Sequence, residues 1–159
     1  MDSPQVKIAL TGPDGEVETL WADPTADGLY VLDNVPWYAT NVSLGDLVEA
    51  TVDADGFLEM SRVVRKSGNR TLRVILELTD PAREWTYESR AVVAQIRDRG
   101  CDIENMNNKM IAVTVPSSVD LVELGSFIDR LGFQFEYADP TYEDLFPDGD
   151  VSGSVSPAA

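Results

Sequence analysis

The sequence predicts an α+β protein: an N-terminal small SH3-like β-barrel over residues 1–70, then a ferredoxin-like βαββαβ unit over residues 71–138. Three observations predict it. Up to residue 70, short runs with apolar residues at every second position are separated by polar turn clusters, with no helical period between them. From Thr71 onward, extended and helical periods alternate in the order strand, helix, strand, strand, helix, strand. Beyond Ala138 the composition changes to DPTYEDLFPDGDVSGSVSPAA, with five acids, three prolines and no base, so residues 139–159 are expected to form an acidic, partly disordered tail.

In the first half, Val6, Ile8 and Leu10 alternate, and Gly12-Pro13-Asp14-Gly15 turns the chain into a second extended run from Glu16 to Trp21. A third run around Leu29 to Leu32 follows Asp27-Gly28. Leu47 to Val52 and Phe57 to Val64 read as a hairpin around Asp53-Ala54-Asp55-Gly56. Five short strands with tight turns favour a small, strongly curved sheet, and closing it into a barrel removes its edges.

In the second half, Leu72, Val74, Leu76 and Leu78 face one side of a strand, with Arg73 and Glu77 on the other. Asp80 is placed to cap a helix that has Pro81 at its first position; Trp85, Ser89, Val92 and Ile96 share its inner face, and Gly100 closes it. Two extended segments, Asp102 to Met106 and Met110 to Val115, flank Asn107-Asn108, which suits a tight turn. Ser117 or Ser118 is expected to cap a second helix with Leu121, Leu124, Ile128 and Leu131 on one face, ended by Gly132. Phe133, Phe135 and Tyr137 mark the last strand.

Composition narrows the chemistry. The 159 residues hold 28 acids, 12 bases and no histidine, for a net charge of −16. Without imidazole, the usual general base at neutral pH and the Ser-His and Cys-His pairings are missing. One cysteine, Cys101, forms neither an internal disulfide nor a cysteine-based zinc site, and this fits a reducing compartment. It follows Gly100, with Arg97 and Arg99 offset by Asp98 and Asp102, and reads as structural. The segment DADGFLE lacks the third acidic position and the distant glutamate of a calcium loop, so Asp53 and Asp55 read as turn residues. No glycine-rich phosphate cradle is present, and neither a metal nor an organic cofactor is expected. So acidic a surface repels phosphate backbones and anionic membranes, and the chain start lacks the apolar run of a secretory signal. The expected setting is the cytoplasm.

Candidate binding residues fall into three groups. The stretch RVVRKSGNRTLRV holds five of the bases and no acid, whereas residues 1–61 hold twelve acids and the single base Lys7. Arg62, Arg65, Lys66, Arg70 and Arg73 are expected at one end of a hairpin turned by Ser67-Gly68-Asn69, as a local anion clamp or as a solvated edge. Trp37 and Tyr38, after Pro36 in a segment without regular period, read as interface anchors or as a loop capping the core. In the tail, Tyr142, Glu143, Asp144 and Phe146 could dock on the basic arm or on a partner. The strands expected at the centre of the second sheet, from Thr71 to Leu78 and from Met110 to Val115, carry no aromatic on which RNA bases could stack.

The stretches Leu20-Trp21-Ala22, Asp33-Asn34-Val35-Pro36, Gly45-Asp46, Val48-Glu49-Ala50 and Arg62 to Val74 together resemble a bacterial family catalogued as domain of unknown function 4265, over about Val17 to Ala138. The resemblance implies no activity or ligand. The family often has histidine after Ser67-Gly68, where this chain has Asn69, so a histidine-dependent role would not extend to this member.

The expectation is therefore a bacterial, non-enzymatic, acidic protein-binding module of the cytoplasm. Its partner would be a basic protein that it neutralises in the manner of an immunity protein or antitoxin, with neither nucleic acid nor membrane as partner. A small-molecule-sensing regulatory domain is the alternative.

Overall fold

The computed structural model describes residues 3–76, 85–107 and 109–148. Five strands, β1 (Val6–Thr11), β2 (Val17–Pro24), β3 (Tyr30–Leu32), β4 (Leu47–Val52) and β5 (Leu58–Arg65), follow one another around a closed barrel. Antiparallel neighbours make up most of it, and a short parallel pairing of Ile8 with Leu58 and Ala9 with Glu59 closes the ring. Two register irregularities between β4 and β5 let this hairpin bend around the core. Alternation sends Ile8, Leu10, Leu20, Ala22, Leu32 and Val48 inward, where they are buried with Ala39 and Val42.

The second unit is a four-stranded antiparallel sheet in the order β7-β8-β6-β9, formed by β6 (Arg70–Ile75), β7 (Asp102–Asn107), β8 (Met110–Val115) and β9 (Gln134–Asp139). Helices α1 (Trp85–Asp98) and α2 (Leu121–Arg130) complete the split βαββαβ arrangement. Leu72, Val74 and Leu76 pack with Ile111, Val113 and Val115 against Val92 and Ile96 of α1 and Leu124 and Ile128 of α2. Among the described residues no helix is long and apolar enough to cross a membrane.

Several details differ from the sequence reading. The N-cap of α2 is Asp120, not Ser117 or Ser118: its carboxylate accepts the Glu123 backbone N–H at 3.0 Å. Leu131 is not a core residue. It is the C-cap, past the last helical turn, and is 42 % exposed. Glu77, Leu78, Asp80, Pro81 and Asn108 lie outside the described residues.

The connection Lys66 to Asn69 is not a hairpin turn, because β5 ends in the barrel while β6 begins the second sheet as one of its central strands. Residues 139–148 are ordered structure instead of tail. Asp139 ends β9, and the short helix α3 (Tyr142–Leu145), capped by Thr141, lays Tyr142, Leu145 and Phe146 against the sheet core. Apolar side chains at 142, 145 and 146 supply the buried contact that the acidic composition of this stretch conceals. Residues 149–159 lie outside the described residues.

The face of the sheet opposite the helices positions the site. Strand register aligns Glu104, Ala112, Arg73 and Glu136 in one row across β7, β8, β6 and β9, and Asp102, Thr114, Thr71 and Asp139 in the next. Such a face reads as solvated, yet Arg73, Thr71, Thr114 and Ala112 are buried. The covering is the irregular segment 33–46 between β3 and β4, whose Val35 and Leu44 pack against Ala112 and Met110.

Candidate functional site

The backbone of segment 36–39 is held between two opposite charges. Glu18, on β2, accepts the N–H of Trp37 at 2.6 Å through one oxygen, and the N–H groups of Tyr38 and Ala39 at 2.6 and 2.8 Å through the other. Arg73, on β6, donates to the carbonyls of Pro36 and Ala39 at 3.0 Å each and to that of Tyr38 at 3.3 Å, while its Nε meets the Glu136 carboxylate. A carboxylate thus collects the donors of the loop and a guanidinium its acceptors. These irregular backbone groups are satisfied without a sheet or helix. Gly12, in the β1–β2 turn, is needed beside this loop: a Cβ there would sit 3.0 Å from the Cβ of Tyr38 and 3.1 Å from its carbonyl oxygen.

The clamp turns two aromatic side chains outward. Trp37 and Tyr38 are 37 % and 40 % exposed, and with Trp21 of β2, 44 % exposed, they line a cleft of about 500 Å³ whose polar residues include Glu18, Asn34 and Glu104. Asn34 accepts the Trp21 N–H at 2.8 Å through its side-chain oxygen. Burial pushes the Glu104 carboxyl above its ordinary value, partly offset by the Val35 backbone N–H and the Asn34 amide, with nearby Asp33 adding repulsion. Both glutamates meet neutral donors, and among the described residues neither forms an ion pair. The nearest cation in the register is Lys7, opposite Trp21, whose Nζ lies 5.0 Å from the centre of the Trp21 ring.

The five bases singled out in the sequence do not converge. Arg62 pairs with Glu49 at 3.3 Å on the exposed barrel wall, and Arg65 is exposed with no partner among the described residues. Lys66 bridges Asp46 at 2.7 Å and Asp139 at 2.5 Å, and reaches the Asn41 carbonyl at 3.1 Å. Arg70 turns the other way, donating to the carbonyls of Pro116 and Val119 ahead of α2. Arg73 is consumed by the clamp. The acid that comes to this region is Asp139, not Glu143 or Asp144, which are exposed on α3.

Lys66 completes a polar seam between the two units. Asp46 is fully buried and also accepts the N–H groups of Ser43 and Ser67 at 2.9 and 2.8 Å; the Ser43 hydroxyl donates to Asp139 at 2.6 Å and lies 2.7 Å from the Thr71 hydroxyl. Asn69 donates its side-chain amide to the Leu44 carbonyl at 2.9 Å. Cys101 is buried, and burial pushes its thiol above the ordinary value despite Arg70 and Arg99. Among the described residues no three metal-ligating side chains come together.

Sequence reasoning found Trp37 and Tyr38 but missed Glu18, Trp21, Asn34 and Glu104. Trp21 did carry a signal: in β2 the inward residues are Leu20 and Ala22, so strand alternation puts this large aromatic outward. Glu18 and Glu104 had none, because 28 acids offer no way to choose two.

A search of curated proteins finds no match to this chain. Among solved structures, the fold is similar to that of a hypothetical protein from Neisseria gonorrhoeae at 17 % sequence identity and a TM-score of 0.71, covering 89 % of this chain and 99 % of that one. The pattern defining the domain of unknown function DUF4265 matches residues 18–135, from the clamping Glu18 through the clamp of Arg73 to the last strand. The chain belongs to the DUF4265 family.

Proposed function

We propose that this chain is a non-catalytic binding module for a basic protein partner, anchored at the cleft of Trp21, Trp37 and Tyr38. The observation that carries the reading is a pair of exposed aromatics on a backbone fixed from both sides, beside carboxylates that form no ion pair among the described residues. Aromatic anchors with a low ordering cost are what interfaces use for affinity. The acidic surface would steer a basic partner toward them, and the net of −11 on residues 1–61 makes the barrel the steering side. Neutralisation of such a partner in the bacterial cytoplasm, as by an immunity protein or antitoxin, is the role this chemistry serves.

The test is affinity for a partner recovered from the source cells on the immobilised chain. Binding should weaken by roughly tenfold or more as salt rises from about 0.05 to 0.5 M, because exposed charges are screened over that range. It should also fall sharply in Trp37→Ala. Affinity insensitive to both changes refutes the reading. The cleft volume of about 500 Å³ also suits a small molecule, so saturable stabilisation by a neutral metabolite in a thermal-shift screen would favour a sensing domain instead.

A further inference from the structure

We infer that the cleft of Trp21, Trp37 and Tyr38 is a receptor for a guanidinium group, filled by an arginine side chain of the partner. The inference rests on the binding role proposed above and specifies the chemistry it recognises.

Three independent features point to a cation. First, indole and phenol faces attract positive charge, and Trp21 already holds one internal cation, Lys7, at 5.0 Å. Second, among the described residues the two carboxylates that line the cleft, Glu18 and Glu104, form no ion pair. Glu18 is oriented by three backbone N–H groups, all neutral donors. Glu16, which precedes the cleft-lining run on β2 and does not itself line the cleft, has an oxygen buried without a hydrogen-bond partner among the described residues. It lies on the same side as Tyr38, since both approach the Cβ position of Gly12, at 2.6 and 3.0 Å. Third, the guanidinium of Arg73 spends four of its five N–H donors on Glu136 and the loop carbonyls, on the sheet side of the loop.

Arginine fits better than lysine for a geometric reason. A planar, weakly hydrated guanidinium can stack on an aromatic ring and present its edge to a carboxylate at the same time, whereas an ammonium is a compact, strongly hydrated point charge. Trp21, Trp37 and Tyr38 line the cleft together with Glu18 and Glu104. Its volume leaves room for the side chain together with part of the backbone that carries it.

The test uses short capped peptides, identical except for one central residue: arginine, citrulline or lysine. Binding to the full chain is followed through the indole N–H resonances of Trp21 and Trp37. The arginine peptide should shift both signals saturably, with citrulline, its neutral isostere, at least about tenfold weaker and lysine intermediate. Glu104→Gln should weaken the arginine peptide by roughly tenfold. Phe57→Ser, at an exposed position on the β4–β5 turn, should change nothing. Equal binding of citrulline and arginine overturns the inference without depending on any variant folding. So does the absence of any shift with the arginine peptide. If a basic partner still binds in a salt-dependent way while these peptides leave both indoles unmoved, the guanidinium site falls and the broader binding role stands.

Discussion

Replacing Arg73 by methionine tests the clamp directly, because it keeps most of the side-chain volume and removes every donor. Arg73 is 2 % exposed and is the donor shared by Pro36, Tyr38, Ala39 and Glu136. Removing one partner of a buried ion pair costs about 3–5 kcal/mol. The low end applies here, since the Glu136 side chain is 32 % exposed and can recover some hydration. Three carbonyls lose a charged donor as well, at about 1–3 kcal/mol each if none is rehydrated. The loop has outward-facing residues through which water can reach part of this group, so the terms do not add in full, and the net loss should be about 4 kcal/mol. With a urea slope of about 2 kcal/mol per molar, the unfolding midpoint should fall by about 2 M. Arg73→Lys should recover less than half, because a single ammonium cannot span three carbonyls and a carboxylate. Amide exchange at Trp37 to Ala39 should accelerate even where the rest of the fold is intact. A stability loss below about 1 kcal/mol, with these amides still protected, would refute the clamp.

Three further outcomes are expected. Gly125→Ala, in the middle of α2, should destabilise although alanine is the better helix former by about 1 kcal/mol: the new Cβ would overlap the Tyr137 hydroxyl and approach Cε2 of Phe135 to 3.1 Å, so the urea midpoint should drop by an amount equivalent to about 1–3 kcal/mol. Burial pushes the Tyr137 hydroxyl up to about 12 from its ordinary 10.0, so the folded state holds this proton longer than the unfolded state does. That stabilisation is complete below pH 10.0 and is lost as pH rises toward about 12, by about 3 kcal/mol in all; Tyr137→Phe should flatten the slope and, because the hydroxyl has no partner, should cost nothing at neutral pH. Lys66→Met should cost about 2 kcal/mol by chemical denaturation, less than a fully buried pair, because Asp46 keeps two N–H donors and Lys66 is itself half-exposed.

The fold was legible because its signals are local. Alternation at Val6, Ile8 and Leu10 and the Asp-Gly turns announce the barrel, and the switch of period after Thr71 announces the split unit. What failed to show was contact between distant segments. Arg62 to Arg73 look like one cluster along the chain, yet β5 and β6 enter different sheets, so five neighbouring bases serve separate tasks. The ordered part beyond Ala138 was hidden by its acids, because three apolar side chains are too few to register against such a composition. Trp37 and Tyr38 were visible as aromatics out of period. Their placement depends on Glu18, and no sequence rule brings residues 18, 37 and 104 together.

The exposure of these aromatics follows from how the two units are joined. A ferredoxin-like sheet with helices on one face leaves the other face open, and here that face carries an arginine with a glutamate beside it, which no apolar layer could cover cheaply. An irregular loop can cover it, because its free carbonyls satisfy the guanidinium, provided something else satisfies its N–H groups. Glu18 does so from the barrel. With the backbone polar groups of 36–39 committed inward to both sides, the side chains at 37 and 38 have only the outside left to occupy. A large aromatic there loses little further freedom on binding, since the chain carrying it is already fixed. The same arrangement leaves the cleft negative, because Arg73 spends its donors on the far side of the loop. The clamp that joins barrel to sheet is therefore also what holds a rigid, electron-rich, acid-lined surface open to a cation.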